Sequence, residues 1–228
     1  MPHGLAIDCK LREVYERLFS AFGPQRWWPA DSPFEVIVGA ILTQSVAWTN
    51  VEKAIASLKA ESRLSPRARR DVSTERLAHL VRPCGYFNAK AAKLKVIAFH
   101  LERYADDLGR LFEKDIGSLR EELLAIHGIG PETADSIILY AANRPSFVID
   151  AYSQRILRRL DLAPAGDRYD DFRAWMQDHL PRDVQMYNEY HALLVHLGKY
   201  WCRKRDPRCG SCPLLEMCPT GAKGKEAN

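Results

Sequence analysis

"IHGIGPETADSII", residues 126–138, is the stretch that decides the fold. Two glycines, Gly128 and Gly130, stand one residue apart, and Pro131 follows at a position suited to the first turn of a helix. A helix ending near Ile126, a glycine turn and a second helix opening at Pro131 make a helix–turn–helix pair. The turn leaves the amides around Gly128, Ile129 and Gly130 at a helix N-terminus, where they can hold a phosphate. An αα-hairpin that binds nothing reads the same way. Further on, "FVIDAYSQRIL", residues 147–157, puts the carboxylate of Asp150 just ahead of another helical run. Aspartate there caps the helix, and a capping aspartate that faces a groove can also be catalytic.

Outward from these segments the chain reads as helix after helix, with almost no alternating strand pattern. Leu11, Tyr15, Leu18 and Phe22 mark an amphipathic first helix. Ser32, Pro33 and Glu35 predict a capping box before the apolar run "VIVGAIL", and "SLRE" (118–121) repeats the signal. A helix is expected from Met186 to Trp201, and the tail 219–228 is expected to be disordered. At 228 residues the chain holds one domain or two small ones. Hydrophobic content of 46% with 27% charged residues is ordinary for a globular protein and excludes a disordered chain. No apolar run approaches the ~20 residues of a membrane span, and the N-terminus lacks a signal-peptide pattern, so a cytoplasmic location with no membrane partner is expected.

Cys202, Cys209, Cys212 and Cys218 form C-x6-C-x2-C-x5-C, apart from Cys9 and Cys84. Four closely spaced cysteines in such a chain point to a metal, and thiolates suit either structural zinc or an iron–sulfur cluster. Net charge is only +4, but residues 65–70, 88–95 and 203–208 are basic clusters, either solvated surface or contacts to a polyanion. Trp27, Trp28 and Pro29 precede the Ser32-capped helix and Trp48 follows it. The indoles serve either as core or as walls of a pocket for a flat ring.

Together, "IHGIGPETA", "VIDAYSQRI" and "YNEYHALLVHLGKYWC" with its cysteine loop resemble the endonuclease III superfamily of helix-hairpin-helix DNA glycosylases, over roughly residues 10–220. His127 stands where that family often has proline. The resemblance implies an all-α, two-lobed fold with a [4Fe–4S] cluster loop. One lobe, of six helices, would be 31–141 with the hairpin; the other would be 1–30 plus 142–228 with the cluster. It implies that hairpin amides grip a phosphate of double-stranded DNA and that Asp150, between the lobes, faces the sugar of an extruded damaged nucleotide. Tyr86 resembles the residue wedged into the duplex, with Lys90 near the DNA backbone, and Gln44 and Ser45 resemble those that fill the vacated space. A monomer is expected.

Two departures narrow the reaction. Bifunctional members carry a lysine two residues after the second hairpin glycine, and here that position is Glu132. Mismatch adenine glycosylases carry a glutamate where this chain has Ile37. A base that already leaves well, such as a cationic 3-methyladenine, fits both departures. Trp27, Trp28, Pro29 and Trp48 resemble the base-stacking residues of 3-methyladenine DNA glycosylase III, a branch known without the cluster. The expectation is a monofunctional glycosylase for N-alkylated purines. Its rivals are a mismatch thymine/uracil glycosylase, a bifunctional glycosylase/lyase and a non-catalytic DNA-binding module.

Overall fold

The computed structural model describes residues 2–225. Among them all regular structure is helical. The chain divides into two compact units: residues up to Trp27 with those from Pro145 onward, and Trp28–Arg144.

The Trp28–Arg144 unit contains α2 (Pro33–Leu42), α3 (Trp48–Ala60), α4 (Pro66–Asp71), α5 (Thr74–Leu80), α6 (Phe87–Glu102), α7 (Leu108–Phe112), α8 (Ile116–Ala125) and α9 (Pro131–Ser136), and the other unit opens the chain with α1 (Pro2–Phe22). Every residue of α2 from Phe34 to Leu42 is buried, so this helix is the axis of the unit. Around it Leu58, Leu77, Leu94, Ile97, Leu119, Leu123 and Ile138 close one core. Ser32 caps α2 by accepting the Glu35 amide, with Pro33 at the first turn. The expected box closes differently: the Glu35 carboxylate accepts the Asp31 amide at 3.1 Å rather than that of Ser32. "SLRE" is not a helix start. Asp115 caps α8 and accepts the Ser118 amide, because the helix begins at Ile116. α9 runs on into a π-helical turn, Ile137–Ala141, closed by Ala142 N–H to Ile137 O.

The other unit adds α10 (Ala151–Arg159), α11 (Tyr169–His179), α12 (Val184–Tyr200) and α13 (Pro219–Lys225) to α1. α12 lies against α10 and α1. Tyr190 OH donates to Leu11 O at 2.8 Å, and Phe147 meets Tyr187 and Tyr190 edge-on. Gly198 is required by close approach: a Cβ there would collide with the Tyr152 side chain. The tail expected to be disordered is helical over Pro219–Lys225, and Thr220 Oγ1 anchors it by donating to Arg159 O at 2.9 Å. Residues 226–228 of that expectation lie outside the described residues.

Candidate active site

The hairpin turn owes its shape to Gly128, whose φ of +92° suits glycine. A Cβ at that position would also run into the Lys93 stem. Ile129 donates its amide to Ile126 O at 3.1 Å, within the turn itself. The amides of Gly128 and Gly130 make no such bond among the described residues, and Gly130 is the N-cap of α9. The turn is anchored from below. Gln44 Nε2 donates to Gly128 O at 3.3 Å and to Thr133 Oγ1 at 2.9 Å, and Lys93 Nζ donates to Gln44 Oε1 at 2.6 Å. Gln44 therefore holds the hairpin. Its neighbour Ser45 is exposed, with φ of 58°.

Lys90, expected near the DNA backbone, has its ammonium engaged inside the protein. It is buried, and its ammonium donates to Leu42 O and Gln44 O, each at 2.9 Å, and to Cys84 O at 2.7 Å. Three carbonyls use all three N–H donors of a lysine. Burial lowers its pKa below the ordinary lysine value, with Lys93 nearby adding to that. Tyr86 lies two residues beyond Cys84, 79% exposed, in the left-handed region at φ 43°. A large aromatic held outward on a strained backbone is uncommon away from functional surfaces.

Trp28 and Trp48 come together edge to face at 4.9 Å, and Tyr140 joins them at 5.2 Å from Trp28. Trp28 also lies close over Gly39 of α2. Tyr140 went unrecognised in the sequence, although π turns often mark functional positions and this one carries it. Trp27 belongs to the other unit, and Pro29 is exposed beside Trp28. Ile37 is fully buried in α2, and Glu132 is exposed in the first turn of α9.

Asp150 caps α10. Its Oδ1 accepts the Ser153 amide at 2.7 Å and the Ser153 hydroxyl at 2.8 Å. Its Oδ2 lies 3.9 Å from Nε2 of His191, a residue of α12 that is nearly fully buried. Burial pushes His191 below the ordinary histidine pKa, and the nearby Asp150 charge works against that shift. His191 sits inside the helix that precedes the cysteines, but nothing in its spacing marks it.

Cys202, Cys209, Cys212 and Cys218 line one cavity of about 140 Å³ together with Arg159, Trp201, Pro207 and Leu215. Among the described residues no three His, Cys, Asp or Glu side chains converge as single-ion ligands would. Arg159 donates Nη1–H to Cys202 Sγ at 3.2 Å and to Arg203 O at 2.8 Å, so a cation sits against the Cys202 sulfur.

Of the three basic clusters, two are largely committed internally. Arg69 is buried, Arg70 pairs with both oxygens of Asp106, and Lys95 donates to Arg70 O at 2.7 Å. In the cysteine loop Arg203 is held by Asp206, while Lys204, Arg205 and Arg208 are exposed.

Residues 38–182 match the HhH-GPD superfamily of base excision DNA repair proteins. A candidate DNA repair glycosylase of Methanocaldococcus jannaschii is 44% identical over 209 residues, 90% of this chain and 94% of that protein. Endonuclease III of Escherichia coli is 27% identical over 188 residues, 82% of this chain and 83% of its own. Among solved structures, endonuclease III in a non-covalent DNA complex shares the fold at a TM-score of 0.82 and 22% identity, covering 96% of this chain and 98% of that one. The H. pylori 3-methyladenine DNA glycosylase bound to 1,N6-ethenoadenine matches at a TM-score of 0.71 and 26% identity, covering 85% and 97%. No helix of the described residues is long and apolar enough to cross a membrane. The chain belongs to the HhH-GPD superfamily and is a DNA glycosylase of base excision repair.

Proposed function

We propose that this glycosylase is monofunctional and removes N-alkylated purines, 3-methyladenine among them, from duplex DNA. The observation that carries the reading is the aromatic group of Trp28, Trp48 and Tyr140. An N3-alkylated purine is a cation in DNA, and a cation against an indole face gains ~0.5–2 kcal/mol. A neutral base gains much less from the same rings. Pro29, next to Trp28 in the same unit, extends this base-binding set. The cationic base needs no proton to depart: the electron pair of the N-glycosidic bond flows into the ring, which leaves neutral. Ile37 in place of an acid costs this reaction nothing.

Bond breaking leaves positive charge on the sugar. Asp150 supplies the opposing charge through Oδ2, since Ser153 holds Oδ1. Water then adds to the anomeric carbon, and its proton leaves through the carboxylate or to solvent. Glu132 offers no amine, so no Schiff base forms and the strand stays intact. Gly128 and Gly130 amides hold a backbone phosphate, Tyr86 enters the stack, and Ser45 approaches the space left by the extruded nucleotide.

The four cysteines line one cavity, and an all-thiolate donor set suits a [4Fe–4S] cluster. The resemblance of the C-x6-C-x2-C-x5-C loop to that of the endonuclease III superfamily favours the cluster over zinc. Cys202, Cys209, Cys212 and Cys218 would hold the cluster, which when bound orders the loop between them. Arg159 offsets negative charge at Cys202.

A panel of duplexes tests the reading: methylated DNA, G·T and G·U mismatches, and oxidised pyrimidines, each with and without alkali. Release of 3-methyladenine, with strand breaks only after alkali, is the expected result. Release of uracil or thymine with no alkylated purine would transfer the assignment to mismatch repair, for which a relative in Pyrobaculum aerophilum, 24% identical, is named. A borohydride-trapped adduct would refute the monofunctional mechanism.

A further inference from the structure

We infer that His191 is a positioning residue for the Asp150 carboxylate, an inference that rests on the reading of Asp150 as the catalytic group. Asp150 and His191 belong to the same compact unit, on α10 and α12, which pack together. The two carboxylate oxygens have unlike surroundings. Oδ1 is fixed by two Ser153 donors at 2.7 and 2.8 Å, and Oδ2 lies 3.9 Å from the imidazole Nε2 of His191.

That distance is too long for a hydrogen bond, so the ring does not compete with substrate for the lone pairs of Oδ2. It does bound the direction in which the carboxylate can turn, because the His191 ring is itself nearly immobilised by burial at 6% exposure. The type of neighbour matters as well as its position. A lysine or arginine at this point would form a full ion pair and cancel the charge needed opposite the sugar. An aliphatic residue would leave Oδ2 without any polar neighbour on that side. Burial keeps the imidazole neutral near pH 7, so it offers a dipole and leaves the carboxylate's charge undiminished. The requirement it meets is preorganisation: a charge placed before the transition state develops, with no reorientation left to do.

Single-turnover base release and affinity for a duplex carrying a tetrahydrofuran abasic analogue separate this role from packing. The rate substrate is methylated or G·U duplex, whichever the wild type processes. His191→Leu should lower the rate by ~10–10²-fold, the scale of a misplaced catalytic group, with affinity for the abasic analogue within about threefold of wild type. His191→Gln, which restores a neutral N–H donor, should recover most of that loss. An unchanged rate in His191→Leu overturns the inference, and so does an equal loss in both variants, since that would mean only ring volume matters. Asp150→Asn is run alongside. If it retains the wild-type rate, the reading of Asp150 itself has failed; if it is inactive while His191→Leu is not, only the role of His191 has.

Discussion

Replacing Arg69 with methionine should make the protein more stable. Arg69 lies on α4 with no exposure, and all three guanidinium nitrogens are buried without a hydrogen-bond partner among the described residues. Arg63 adds a second cation nearby, and its Nε is likewise buried and unpartnered. Burial comes first and Arg63 second in pushing the Arg69 pKa from the ordinary arginine value down to about 9. At 1.36 kcal/mol per pH unit, that depression corresponds to roughly 5 kcal/mol of penalty on the charged form. Local relaxation and water entry reduce such penalties, and apolar replacements of buried charges gain ~1–4 kcal/mol in practice. Methionine keeps the unbranched stem, so the expected gain is about 2–4 kcal/mol, or roughly 5–15 °C in Tm for a chain of this size.

The pH dependence has a definite sign. A basic group whose folded pKa is depressed is held more tightly protonated by the unfolded chain. Stability therefore rises with pH from about 9 up towards the ordinary arginine pKa, and the penalty is fully present below 9. Urea unfolding of wild type and variant at pH 7.5 and pH 10.5 reads both effects. The gap between them should be largest at the lower pH and narrow at the higher. A variant less stable than wild type at pH 7.5 would refute the reasoning, because it would mean that the guanidinium has a favourable partner.

Three other outcomes are expected. Reversing Lys204, Arg205 and Arg208 to glutamate should weaken binding to undamaged duplex and flatten its log–log salt dependence, with up to about three fewer ions released; a parallel line at lower affinity would return this loop to the solvated surface. Pure protein should be brown, absorb near ~400 nm and contain iron and acid-labile sulfide, and stripping the iron should lower the Tm of the unit that carries α10–α13; a colourless protein with one zinc would refute the cluster. Trp28→Ala and Trp48→Ala should each slow release of 3-methyladenine more than release of a neutral base, by roughly the ~0.5–2 kcal/mol of one cation–π contact, read as a ratio of single-turnover rates; equal losses on both bases would assign the indoles to packing.

What the sequence disclosed was whatever its neighbours along the chain determine. The glycine turn, Pro131 opening α9 and the Asp150 cap are local signals, and each stands in the fold where the pattern put it. "SLRE" misled because the stronger cap, Asp115, lies three residues earlier and leaves Ser118 inside the first turn. The tail misled because its anchor is the carbonyl of Arg159, far away in sequence. Lys90 and Arg69 looked like surface cations because residue type says nothing about which face of a helix meets a neighbour. Only the packing of α6 against α2 and α4 shows where those charges go. Tyr140 and His191 were invisible for the same reason. Each gains its setting from partners that distant segments supply, Trp28 and Trp48 in one case and Asp150 in the other.

The Lys90 ammonium has a mechanical consequence. One nitrogen ties Leu42 and Gln44, at the end of α2, to Cys84, just before the exposed Tyr86. A force applied to the Tyr86 ring is thereby carried through Cys84 into α2, which is buried along nearly its whole length, instead of being absorbed by a yielding loop. Because Gln44 in turn clasps the hairpin at Gly128 and Thr133, the strut continues to that loop, so the Tyr86 loop and the hairpin bear against the same beam. Cutting the strut with Lys90→Met would leave both loops folded but let them recoil independently.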